Sequence, residues 1–484
     1  MIHLANLVHC HIAYYILFII YVFPEMEDND NLSLTNESTE GCEKRNGRYV
    51  FPIVIGGQYT PSLAKRIFGM LQFETLIRCR VVSKAWRELI DSQTSLWNQV
   101  HRERYSNAVR SGRIDICRLI IAHSGLVTNP KLTKNGWTPL HQAARNGHFE
   151  IFKLIAEHLE CKNPATQIGV TPLHLAASDG HHSICHYIMG TLADKNPINS
   201  HGHTPFHLAA KKGQFEVCKL FLETVADKNP VGKRGVTPLH QAARFGHLEV
   251  CRVIMEKVGK KNPADEKGTT PLHLSASQGH FDVSKYIMDS VEDKNPSGYF
   301  GDTPLHWAAQ NGQTDICLHI MNSIKDKNPS NNQGVTPLHL AAHSGSLEIC
   351  QALILCCNNK NPADENGVTP LHRSAMRGHL DICKAIIVNV CDKNPSDNMG
   401  NTPLHSAAED GYFDIVQLIT SNVVLRADVL VNLAGDTPLE IARRHRQWEI
   451  ARLLQDATES SAKCMTINAA NTHKQTDTES NFFM

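Results

Sequence analysis

His182, Cys185 and His186 fall within five residues, and two imidazoles one helical turn apart beside a thiol are zinc-ligand types at a usable spacing. Nine further histidines recur at intervals of 33 residues, from His141 and His174 to His405, as proton carriers or ligands would if they converged on one site. Eight lysines, Lys162 to Lys393, recur at the same interval within Lys-Asn-Pro, a spacing that could lay a track for phosphates. Regularity argues against all three. A residue repeated once per unit is framework before it is chemistry.

Cys185 shares its slot with Cys218, Cys251, Cys317, Cys350 and Cys383, with Ser284 standing between the two sets. One small apolar thiol per unit reads as a buried side chain pointing away from His182 and His186, so no metal is expected. The repeated histidine follows a capping Thr by three residues, where a hydrogen bond to the turn or to a neighbouring loop is the ordinary use. Five of the eight lysines directly follow an Asp (Asp194, Asp227, Asp293, Asp326, Asp392), so the ladder reads as neutralised, a solvated edge closed by an Asn-Pro turn. No Gly-rich phosphate loop with Lys, nucleophile elbow or paired carboxylates stand outside the repeating framework, so neither catalysis nor a cofactor is expected.

The chain has 484 residues, 42% apolar and 20% charged, with 48 basic and 48 acidic side chains. Several domains or an array are required at this length, and the balance of charge excludes bulk attraction to nucleic acid or anionic membrane. Fifteen cysteines, an odd number spaced by the repeat, point to a reducing compartment. Residues 4–23 are long and apolar enough to cross a bilayer, but no Lys or Arg precedes them, and Glu25, Glu27 and Asp28 follow. Residues 1–25 therefore read as a dispensable extension with Met26 as the start, a membrane anchor being the alternative. The sequons at Asn31 and Asn36 matter only in that second case. The location expected is cytoplasmic or nuclear.

The elements follow from the period. Thr-Pro-Leu-His, with Phe for Leu once, begins at nine positions from Thr138 to Thr402, each 33 residues apart, and Thr437 opens a tenth copy ending in Glu440. Thr as N-cap with Pro at the first helical position starts a helix. A Gly two residues before each Thr makes a turn, and a second Gly nine residues after it ends the first helix and admits a second, as in the apolar stripe Phe149, Ile151, Phe152, Leu154, Ile155. Asn107 to Gly125 is a divergent opening unit. The closing unit has Arg446 in place of its second Gly. The total is about 11 helix-turn-helix units over residues 105–455, with a polar tail at 456–484 expected to be disordered.

The period and the motif resemble the ankyrin repeat, which implies an all-α solenoid whose variable positions line a protein-binding face. On the family's pattern those positions here are Lys211, Lys212, Lys233, Arg234, Arg244, Phe245 and Lys267, then Tyr299, Phe300 and Asp302. The substrate expected there is an acidic or phosphorylated segment with an apolar anchor, unless Phe300 folds back onto Trp307.

Residues 59–104 match no phase of the repeat and follow a polar linker at 26–58. Thr60 and Pro61 open an apolar helix with Leu63, Ile67, Met70 and Leu71 on one face, followed by Leu76, Cys79 and Val82, then Trp86, Leu89 and Ile90, and finally Leu96 and Trp97. Three short helices bury too little to stand alone. The run resembles the F-box, although that family's Leu-Pro-x-Glu opening is here Tyr59, Thr60, Pro61, Ser62. The resemblance implies docking onto the Skp-type adaptor of a cullin-RING ubiquitin ligase through Ile67, Phe68, Leu71, Leu76, Trp86, Leu96 and Trp97. The alternatives are a plain ankyrin scaffold, in which this segment only caps the stack, and a membrane-tethered one.

Overall fold

The structure is a computed structural model that describes residues 44–45, 48–49, 105–123, 129–423 and 431–459. The apolar segment at 1–25, the F-box segment at 59–104 with all its adaptor-facing residues, and the tail from residue 460 lie outside the described residues. Within the linker, Lys44–Arg45 and Arg48–Tyr49 form a two-residue antiparallel pair, Lys44 opposite Tyr49. Every other described element is a helix or a turn, and none is long and apolar enough to cross a membrane.

Each unit is two antiparallel helices. In the unit opening at Thr171, the first runs Pro172–Asp179 and the second His182–Met189. The first buries Pro172, Leu173, His174, Ala176 and Ala177, and the second Ile184, Cys185, Ile188 and Met189. From Leu140 to Leu404 the Leu after each Pro is fully enclosed, and its truncation to Ala would cost about 2–5 kcal/mol; Leu439 of the closing unit is half-buried. Phe206 takes that slot in one unit and stacks on Phe221 of the second helix, centroids 5.4 Å apart. The cysteine slot is buried throughout, and burial pushes the thiols of Cys185, Cys251, Cys317 and Cys350 up to about 12. Where Ser284 replaces Cys, its hydroxyl donates to Ser275 Oγ at 2.8 Å, so the polar substitution carries its own partner.

Helix starts are built as the spacing predicts. Each Thr from Thr138 to Thr402 is extended and caps its helix, and its N–H donates to Nδ1 of the His three residues on, at 3.0–3.3 Å. Nδ1 is thus an acceptor and Nε2 carries the proton, which it donates to a carbonyl of the following unit at 2.9–3.3 Å. One side chain caps its own helix and fastens the next unit. Burial holds His141, His174, His207, His273 and His339 down at about 4, and lowers His240, His306 and His372 also.

The Lys-Asn-Pro segments differ from the neutralised ladder. The Asn side chain reaches forward to accept the N–H of the Leu (or Phe206) at the second position of the next first helix, as Asn163 does for Leu173 at 2.9 Å and Asn328 for Leu338 at 3.0 Å. The preceding Asp carboxylate accepts the N–H of that Asn, as in Asp194–Asn196 and Asp326–Asn328. Among the described residues none of these Asp side chains pairs with its neighbouring Lys. The carboxylates hold the backbone turn; Lys228 Nζ donates to the carbonyls of Leu222 and Val225 that end a second helix.

A second histidine, missed in the sequence, packs over the mid-unit Gly of the unit before. His247 Nε2 donates to Lys211 O at 3.0 Å, and a Cβ on Gly213, whose φ is +71°, would stand 2.5 Å from that ring. At the closing unit Arg446 adopts φ 62° in the same slot. The last helix spans residues 448–459, with Thr458 Oγ1 bonded to Gln455 O, so the polar tail placed from residue 456 begins inside it.

Candidate functional site

In the nine units from Thr138 to Thr402 the first helices bury the side chains at the first, second, third, fifth and sixth positions after Thr. The fourth, seventh and eighth remain on an open face, next to the loop tips that precede each Thr. That face is where side chains are free of the framework.

Lys211, Arg244 and Phe245 come together there. Lys211 Nζ lies 5.5 Å and Arg244 Cζ 5.9 Å from the centroid of the Phe245 ring, which is 43% exposed. Lys212 is exposed on the same helix. The His203 imidazole is pushed down by burial, then by the charges of Lys211 and His201.

Lys233 and Arg234 project from a 3₁₀ turn, Lys233–Gly235, in which Arg234 has φ 61°. In neighbouring loops an Asn or Asp five residues before Thr clasps the tip, as Asn199 and Asp265 do by accepting two N–H groups each. Gly232 occupies that place here, because a Cβ would stand 2.3 Å from Gly202 O. Loop tips are otherwise laced in one register, Glu266 N–H to Arg234 O and Tyr299 N–H to Lys267 O, while Lys233 N–H shifts to Gly202 O. Among the described residues, a left-handed non-Gly residue at an exposed tip marks the loop whose register shifts.

Tyr299 and Phe300 are 73% and 62% exposed and pack edge to face, centroids 5.3 Å apart. Phe300 does not fold onto Trp307, whose ring instead meets His273 at 5.3 Å. Asp302 is not free: its carboxylate accepts the Asn331 amide at 2.8 Å and its carbonyl accepts His273 Nε2 at 3.1 Å. Lys267 is exposed at its tip.

The fourth position after Thr was not singled out in the sequence. It carries Leu175, Leu208, Leu274, Trp307 and Leu340, all half-buried, interrupted by Gln142, Gln241, Arg373 and Ser406. An apolar row thus runs along the open face beside the basic cluster and the aromatic tip. Its signal was the polar interruptions, which framework positions do not tolerate.

His182 and His186 stack on the surface with centroids 6.2 Å apart while Cys185 is buried, and among the described residues no three His, Cys, Asp or Glu could hold a metal ion.

Such a face on a stack of two-helix units defines a class: solenoids that bind other proteins with their open side. The family model for ankyrin repeats (3 copies) matches eight overlapping windows from 105–167 to 389–464, and an F-box-like model matches residues 62–103. The chain belongs to the ankyrin-repeat family and carries an F-box-like domain ahead of its array. No curated protein matches it. Both modules are protein-interaction modules, generally without catalysis of their own.

Proposed function

We propose that this chain is a substrate receptor of an SCF-type cullin-RING ubiquitin ligase. The F-box segment, residues 59–104, docks the Skp-type adaptor through Ile67, Phe68, Leu71, Leu76, Trp86, Leu96 and Trp97. The ankyrin units hold the protein substrate on the face that carries Lys211, Lys212, Lys233, Arg234, Arg244, Phe245, Tyr299 and Phe300, with Asp302 bracing the aromatic tip. The ubiquitin chemistry belongs to other subunits. The observation that carries this reading is the pairing of an F-box-like segment with an array that leaves a charged and aromatic face uncovered.

Replacing Ile67 and Leu71 by Ala in the full chain removes co-purification of the adaptor while the helicity of the array is unchanged. Retained adaptor binding would leave a plain ankyrin scaffold as the reading. Replacing Tyr299 and Phe300 by Ala weakens substrate capture by about 2 kcal/mol with adaptor binding intact. The protein works in the cytoplasm or nucleus, and deletion of residues 1–25 leaves both activities in place; alkaline-resistant membrane association dependent on those residues would overturn this.

A further inference from the structure

Four consecutive units give the open face a definite order of charge. The unit opening at Thr402 ends its first helix with Glu409 and Asp410, both exposed, and the unit before it closes its own with exposed Arg377. The next unit back presents half-buried Leu340 and exposed Ser344, and the one opening at Thr303 presents half-buried Trp307 beside the exposed Tyr299–Phe300 tip. Among the described residues Glu409 pairs only with His445, at 3.8 Å, Asp410 has no cation and Arg377 no carboxylate within ion-pair distance. From the closing end the face therefore reads negative, positive, neutral, aromatic.

Residues 473–484, His-Lys-Gln-Thr-Asp-Thr-Glu-Ser-Asn-Phe-Phe-Met, lie outside the described residues and carry the complement of that order. Lys474, Asp477, Ser480 and Phe483 follow one another at intervals of three. In the polyproline II conformation every third side chain faces the same way, and three residues advance about 9 Å. Adjacent helices stand roughly 8–10 Å apart, so three residues pass one unit. Laid from the closing unit toward the opening one, the segment sets Lys474 at Glu409 and Asp410, Asp477 at Arg377, Ser480 at Leu340 and Ser344, and Phe483 at Trp307 and the aromatic tip. Run the other way, Phe483 would meet the carboxylates. The matching direction is also the one open to a chain that leaves the closing unit at Glu459, and the stretch from there to Lys474 reaches roughly 50 Å when extended, ample for a step to the adjacent unit.

We propose that residues 473–484 dock on this face of their own array, with Lys474 on Glu409 and Asp410, Asp477 on Arg377, and Phe483 on Trp307 and the Tyr299–Phe300 tip. Exposed ion pairs are individually weak, but a tethered segment meets its site at an effective concentration of about millimolar order. The segment thus covers the face when nothing else does and gives way to a partner that binds more tightly. The docking stands on the order of charges alone. Its consequence, that a substrate must displace the segment, rests on the reading of this face as the substrate-holding one.

The test places the photo-crosslinker p-benzoylphenylalanine at position 483 of the full-length protein and maps the crosslinks of the monomeric fraction by mass spectrometry. They fall within residues 299–311. Arg377→Glu reduces their yield roughly tenfold, and Asp477→Arg in the same chain restores it, which a folding defect would not allow. Arg377 is exposed, so the melting temperature stays near wild type. A fluorescein-labelled peptide of residues 471–484, added in trans, binds full-length protein carrying Phe482→Ala and Phe483→Ala roughly tenfold more tightly than wild type, whose face is already covered. Crosslinks scattered over the array, crosslinks formed only between two copies, a yield indifferent to Arg377→Glu, or equal peptide binding by the two proteins overturns the docking. Substrate capture unchanged by Tyr299→Ala with Phe300→Ala would instead remove the competition and leave the crosslinks in wild type standing.

Discussion

The nine units with His at the third helical position and the closing unit with Glu440 meet the same need differently. In the closing unit, Glu440 Oε2 accepts the Thr437 N–H at 2.8 Å and its hydroxyl at 3.0 Å, a capping box of the ordinary kind. In the interior His306 does the same for Thr303, but its far nitrogen also donates to Val335 O, 29 residues on. A carboxylate has no proton to give. Glu therefore caps one helix and stops, which suits a unit with no Thr-Pro-Leu-His successor, whereas His caps one unit and fastens the next. The difference teaches that this histidine is chosen for two nitrogens of opposite character, and neither its acid–base chemistry nor metal affinity is in use.

The comparison breaks most visibly with pH. A protonated imidazole cannot accept the Thr N–H at Nδ1, and the folded pKa values lie below the ordinary 6.5, down to about 4 where burial is strongest. The stability these groups contribute is fully present above pH 6.5 and is lost as pH falls toward 4. Each costs about 1.4 kcal/mol per pH unit in that window, so the five histidines held near 4 together cost roughly 7 kcal/mol at pH 5.5. Urea unfolding followed by circular dichroism should show a much lower midpoint at pH 5.5 than at 7.5; equal midpoints would refute the neutral-histidine account. The Glu440 cap is lost in the same direction but only in stronger acid, because the Thr437 N–H and hydroxyl hold its carboxyl below the usual range.

His306→Glu is the next largest effect. It keeps an acceptor for the cap but buries a carboxylate and orphans Val335 O, and should cost about 3 kcal/mol or more in urea unfolding. The cysteine slot sharpens the same lesson at a smaller scale. Cys317→Ser places a hydroxyl opposite Ala308 and should cost about 1–2 kcal/mol. Cys383→Ser should cost less, because Ser374 Oγ already lies 3.2 Å from that sulfur, and reversal of this order in measured midpoints would count against the pairing seen at Ser284. Smallest is Glu440→His, within about 0.5 kcal/mol of wild type, since the exposed closing unit offers its far nitrogen no further unit to fasten.

The chain's own residues determined the period, the helix pairs, the capping Thr, the turn glycines and the buried cysteine slot. These are local or strictly repeated features, and repetition alone separates framework from freely varied positions. Tertiary structure decided what each slot faces: that Asn163 reaches Leu173, that the Asp of each Asp-Lys-Asn-Pro grips backbone rather than Lys, and that His207 finds Val236 O. It also decided that the Leu175-to-Leu340 row stays half open, and that His343 meets Arg377 across two units. The physical reason is that a period of 33 identifies equivalent residues without giving the offset between stacked units, and that offset sets which side chains share a surface.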